Sequence, residues 1–83
     1  MKFLRMRPGY GEQLIAEGDI DVEEDHERLV EEFRRQLEQG MWAAIPVTSA
    51  TGRREADMIR AFEEIPRDTS HVIFFPRAAG GAR

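Results

Sequence analysis

The residues best placed for chemistry stand near the end of the chain, where Gly80 and Gly81 follow an apolar run, Val72-Ile73-Phe74-Phe75, and a short link, Pro76-Arg77-Ala78-Ala79. Two successive residues without a Cβ can enter a narrow enzyme cleft, because neither presents a side chain to its walls. Such a tail is a substrate rather than a catalyst, and it points to another protein acting on this one. Terminal glycines also occur as ordinary fraying residues, so the pair alone does not define a reaction.

The other chemically suggestive groups do not assemble. His26 lies among Glu23, Glu24, Asp25 and Glu27. On a helix, however, the residues sharing its face at i−4, i+3 and i+4 are Val22, Leu29 and Val30, and Glu23 alone is well placed to join it as a metal ligand. His71 has Asp68 nearby, but in a strand its neighbour Ser70 points the opposite way, and no nucleophile with a base and an orienter surrounds it. The expected place of His71 is an edge or surface. Gly9 and Gly11 lack the GxGxxG pattern and the Lys-Ser or Lys-Thr ending of a phosphate loop and read as a turn. Arg53-Arg54 and Glu63-Glu64 are adjacent like charges that belong on a solvated face, with Arg53 and Arg54 the better candidates for contact with a partner. No catalytic residue, metal ligand or bound cofactor is expected.

Composition narrows the class further. Eighty-three residues allow one domain, 1–83, with a flexible tail over 77–83. An apolar fraction of 41% and a charged fraction of 34% suit a soluble globule, and no apolar run is long enough to cross a bilayer. There is no cysteine, which excludes disulfides and thiolate chemistry by the chain itself. Charge interrupts the first residues too early for a secretion signal, and a cytoplasmic location is expected. The net charge is −4, and residues 17–32 hold nine acids against one formally charged base, Arg28. That segment repels phosphate backbones, so neither nucleic acid nor membrane is an expected partner.

The elements that must position the tail are legible from patterning. Residues 2–6 read as a strand, residues 8–11 as a turn and residues 13–16 as a second strand closing a hairpin. Asp21 is expected to cap a helix starting at Val22, with Glu24 at capping-box spacing and Glu23, Glu24 and Asp25 favoured by the helix dipole. Leu29, Val30, Phe33 and Leu37 form its apolar stripe, and Gly40 ends it. Residues 41–47 form the next strand, in which Pro46 belongs at an end or an exposed edge. Trp42, entering that strand directly after the helix, reads as a core or rim residue. Residues 48–54 are a polar loop. From 56 to 65 two periods compete: Met58, Ile59 and Phe62 suit one helical face, whereas Ile59 and Ala61 with polar neighbours suit a strand. After a turn at 66–69, residues 71–75 make the last, largely buried strand. The order amounts to an α+β roll, one helix against a mixed sheet.

The run His71-Val72-Ile73-Phe74-Phe75-Pro76-Arg77-Ala78-Ala79-Gly80-Gly81 resembles the ending of the ubiquitin-like β-grasp sulfur carriers, among them the small subunit of molybdopterin synthase, where an apolar strand leads into a proline-containing tail that ends in Gly-Gly. Ala43-Ala44-Ile45 resembles that family's strand after the helix, and residues 59–66 its short strand and turn before the last strand. The resemblance implies a β-grasp fold and selects a strand for 56–65. It further implies that an adenylating enzyme spends ATP on the terminal glycine, that sulfur replaces the adenylate, and that the thiocarboxylate serves a sulfur-accepting enzyme. Gly81 would carry the sulfur, Gly80 would thread the enzyme channel, and Phe75 and Pro76 would present the tail for recognition.

Three departures stand against this pattern. Ala82 and Arg83 follow Gly81, so a maturation protease must expose its carboxylate; Arg77 replaces the family's second proline, and residues 48–57 look like an insertion. The alternative is a noncovalent β-grasp adaptor that uses the acidic helix or the 48–54 loop and has no catalytic activity.

Overall fold

The computed structural model describes residues 1–77. Its elements are β1 (Lys2–Arg7), β2 (Gly11–Glu17), α1 (Glu23–Glu38), β3 (Met41–Thr48), β4 (Arg54–Ile59), a single 3-10 turn (Phe62–Glu64) and β5 (His71–Pro76). The strands form one mixed sheet in the order β2-β1-β5-β3-β4. The first and last strands lie side by side and parallel, Lys2 opposite His71 and Arg5 opposite Phe74, and every other pairing is antiparallel. A parallel pair requires a crossover, which α1 and the β3–β4 hairpin supply between them. With α1 packed on one face, this is a β-grasp-like arrangement.

Alternation along the central strands explains the layering. Phe3 on β1, Met41, Ala43 and Ile45 on β3, and Val72 and Phe74 on β5 are buried beneath the Leu29 and Phe33 stripe of α1. Val30 and Leu37 flank that stripe and pack partly buried against the same core. The ring of Phe3 meets Phe74 edge-on at 5.2 Å, Phe33 meets Phe74 at 5.7 Å, and Phe62 closes on Phe33 at 5.9 Å. These offset geometries are the favourable ones for aromatic quadrupoles.

Gly9 and Gly11 take positive φ, 83° and 76°, in the β1–β2 turn, and Tyr10 N–H donates to the Arg7 carbonyl at 2.9 Å. In β2 the register slips by one residue: Phe3 faces Ala16 while Leu4 faces Leu14. This bulge lets both Ile15 and Ala16 pack toward the core while Leu14 stands half exposed on the other side. Gly40, at φ 85°, ends α1 as its position indicates.

Four expectations are corrected. Asp21 does not cap α1: the N-cap is Val22, with no side-chain bond, and the Asp21 carboxylate pairs with Arg67 across the chain. Asp25 organises the helix start instead, its Oδ2 accepting the Asp19 backbone N–H at 2.9 Å and its Oδ1 lying 3.0 Å from Arg28. A Cβ on Gly18 would stand 2.9 Å from that of Asp25, so the chain must pass the helix without one. Second, the segment 56–65 is not one strand; β4 starts earlier and ends at Ile59, and Phe62 reaches the core through the 3-10 turn. Third, residues 48–57 are no looped insertion, because the β3–β4 pairing runs to Thr48 opposite Arg54. Fourth, of the two places expected for His71, edge or surface, the sheet edge is excluded: it opens the central strand, where it is half-buried. Pro46 stands beyond the last β3–β5 pair, Ala44 with Ile73, so its missing N–H removes no bond from that ladder.

Two outcomes follow. Phe74 is fully buried, and Phe74→Ala should cost about 3–5 kcal/mol in urea unfolding, against a total of about 4–12 kcal/mol for a chain this long; loss below 1 kcal/mol would contradict the core described. The Asp19 N–H, and then the Arg28 guanidinium, hold the Asp25 carboxyl below the usual aspartate range, against the opposing effect of partial desolvation. Because the folded value is the lower one, this stabilisation is complete above the ordinary carboxylate range and fades as pH falls through the depressed value. The stability gap between the native chain and Asp25→Asn should therefore narrow below about pH 4, as stepped-pH urea titrations would record.

Candidate interaction surface

The face of the sheet away from α1 has no helix to cover it, and its registers align apolar residues across all five strands. Leu14 faces Leu4, Leu4 faces Ile73, Ile73 faces Ala44, and Ala44 faces Met58. Phe75 faces Trp42 in the next row, with ring centroids 6.5 Å apart and planes inclined by 36°. Leu14, Trp42 and Met58 are 50%, 44% and 43% exposed. Scattered exposed apolar residues are ordinary; here Ala44 within the row is 5% exposed and Leu4 and Ile73 are partly buried, so the exposed apolar surface gathers at Leu14 on one side of the sheet and at Trp42 and Met58 on the other.

One end of this face opens into a cleft of about 390 Å³ between α1, β3 and β4, lined by Leu37, Met41, Trp42, Met58, Arg60 and Arg77. Arg77 follows β5 directly, and its N–H reaches the Gly40 carbonyl at 3.4 Å, which ties the exit of the last strand to the end of α1. The chain therefore leaves the sheet beside the cleft.

Among the sequence-predicted residues, Phe75 is half-buried on the outer face against Trp42, and Pro76 ends β5 opposite Met41. Gly80 and Gly81, with Ala82 and Arg83, lie outside the described residues. Arg53 and Arg54 sit at the tip of the β3–β4 hairpin, exposed, with the Arg53 N–H donated to Ser49 Oγ at 3.2 Å. From Met41 to Thr48 the strand covers seven steps, about 23 Å at 3.3 Å per residue, so the hairpin tip and the tail exit occupy opposite ends of the sheet.

The candidates set aside in the sequence are placed as follows. His26 stacks on Phe62 at 5.3 Å. His71 Nδ1 and Ser70 Oγ are 3.0 Å apart, contrary to the expectation that they diverge, because Ser70 precedes the strand and is free of its alternation. The described residues contain no group of three or more His, Cys, Asp or Glu able to hold a metal ion, and no described helix is long and apolar enough to cross a membrane.

Sequence reasoning named Phe75 but missed Trp42, Met58 and Arg60 as surface residues. In Met41-Trp42-Ala43-Ala44-Ile45 both faces are apolar, so alternation gives no cue to which side looks outward. The parity of Trp42, opposite to Met41 and Ala43, was the available signal. Compared with protein-family models, curated proteins and solved structures, the chain finds no match, and its β-grasp-like character rests on its own sheet order and helix packing.

Trp42 is the only tryptophan, so its fluorescence reports this surface directly. The folded chain should emit as a solvent-accessible indole, quenched readily by acrylamide. Trp42→Ala should cost far less stability than Phe74→Ala, about 1 kcal/mol.

Proposed function

We propose that this chain is a β-grasp carrier protein whose C-terminal tail is the substrate of partner enzymes. The single observation that carries the reading is the exit of the central strand β5 at Pro76, beside the half-exposed Trp42 and Phe75. A partner that docks on these rings holds the emerging chain in a defined direction, and docking and delivery become one event. In this reading a protease removes Ala82 and Arg83 and exposes the carboxylate of Gly81. An adenylating enzyme then joins that carboxylate to AMP from ATP, releasing pyrophosphate, and a sulfide equivalent displaces AMP to leave a thiocarboxylate on Gly81 for a sulfur-accepting enzyme. Gly80 threads the channel, and Phe75 and Pro76 present the tail. The chain supplies recognition; ATP and the catalytic groups belong to the partners, and the cytoplasm is the setting.

A second reading is favoured by the apolar row itself, which spans all five strands and needs no tail chemistry to bind a protein. That reading is a noncovalent adaptor.

Intact mass spectrometry of the protein from its own cells separates the two. Loss of Ala82-Arg83 followed by the mass gain of one oxygen-to-sulfur exchange is the expected result, and Gly81→Trp should abolish it. Persistence of the full chain under conditions that demand sulfur transfer would overturn the carrier reading. Partner binding that survives deletion of the tail would then assign the adaptor role.

A further inference from the structure

The cleft at the tail exit combines two features that the rest of the outer face lacks. Its walls are apolar and partly open, with Trp42 and Met58 each nearly half exposed, and its rim carries two guanidinium groups, Arg60 and Arg77. None of the described residues that line it carries a carboxylate. Among the described residues the ion pairs engage Arg28, Arg34, Arg35 and Arg67, and neither Arg60 nor Arg77 takes part in one. Arg60 has acids nearby in Glu38 and Glu63, with which it lines the adjoining cavity, and in Glu64, whose carboxylate accepts the Arg60 backbone N–H at 2.9 Å. In a chain of net charge −4, a cleft whose described lining holds two arginines and no acid differs in sign from the chain as a whole.

We propose that this cleft binds an acidic peptide segment of a partner protein, one carrying a single aromatic or long aliphatic anchor flanked by Asp or Glu. The anchor enters between Trp42 and Met58, where methionine adapts to side chains of different shape and an indole face supplies area at small entropic cost. A volume of about 390 Å³ lies at the small end of ligand-binding clefts and has room for a large side chain. The flanking carboxylates meet Arg60 and Arg77 on the two sides, and the planar guanidinium can engage a carboxylate through two N–H donors. Charge sets the choice of segment: a basic peptide with the same anchor leaves the two arginines facing like charge. The proposal rests on the reading of the chain as a domain on which partners dock, and it names the chemistry that docks.

The test uses the 83-residue chain and a capped pentapeptide with a single Phe between paired Asp and Glu residues, itself free of tryptophan. Titration should shift Trp42 emission to the blue and saturate, weakening as salt screens the rim charges. A peptide with lysines in place of the acids, and Arg60→Gln with Arg77→Gln in the chain, should each reduce affinity by about tenfold or more. Both arginines are exposed, so an unchanged melting temperature will show that the variant is folded. No saturable shift at millimolar peptide, or equal binding of the lysine peptide, would overturn the proposal. So would emission that turns blue with protein concentration alone, which would assign the cleft to a second copy of the chain. Gly81→Leu, which adds bulk without a second indole, should abolish carrier chemistry and leave peptide binding intact, so failure of the cleft and failure of the carrier reading are separable.

Discussion

Everything in this structure depends on the contact between Phe3 and Phe74, which holds the first strand against the last. The two residues are separated by most of the chain, and the hydrophobic term that drives them together must outweigh the entropy of closing that loop. Phe33 from α1 completes the cluster, and Phe62 extends it to the 3-10 turn. Surface ion pairs contribute little beside it: Arg67 and Asp21 are 76% and 64% exposed, a setting in which a pair stabilises by about 0–1 kcal/mol. The aromatic cluster also fixes what lies beyond it. Phe74 pointing inward obliges Phe75 to point outward, so burial of one ring produces the exposed partner of Trp42.

A polar network beside the core fixes how α1 lies on the sheet. Arg5 donates to Gln36 Oε1 at 3.2 Å and to Gln39 Oε1 at 2.8 Å, and Gln36 Nε2 donates to Glu32 at 2.7 Å. Gln36 is 3% exposed, so its amide would incur a heavy desolvation penalty without these partners. Apolar packing alone tolerates small shifts of a helix along a sheet, whereas directional bonds do not. The network therefore sets the position of the last turn of α1. Gly40 follows that turn, and its carbonyl receives the Arg77 N–H.

Local patterning revealed the elements whose two sides differ. The stripe on α1, Gly40 at its end, the turn glycines and the buried β5 were legible because apolar and polar positions, or residues with and without a Cβ, contrast there. Where that contrast vanishes, so did the reading. Residues 41–45 are apolar on both faces, and the outward role of Trp42 emerges only from its pairing with Phe75. Asp21 carried a valid capping signal, but α1 starts one residue later than that signal implies, so Val22 takes the N-cap position and Asp21 stands before it. Arg60 and Arg77 lie far apart in sequence and share a cleft through the strand register alone. Phe75 and Pro76 could be named in advance because they adjoin the tail, which is a property of sequence order.

The two ends of the sheet are chemically unlike, and this bears on how a partner can approach. At the hairpin end Arg53 closes a polar turn and Arg54 opens β4 beside a cavity that includes Glu55 and His71, with the length of β3 between them and the tail exit. At the other end an apolar cleft, two arginines and the departing chain converge on the last turn of α1. A partner that must both recognise the domain and reach its terminus gains from binding where recognition and delivery coincide, since a contact at the hairpin end leaves the tail unpositioned. The backbone bond between Arg77 and Gly40 strengthens this coupling. It holds Arg77, the first residue after β5, to the residue that closes the end of α1, beside the cleft that Arg77 itself lines.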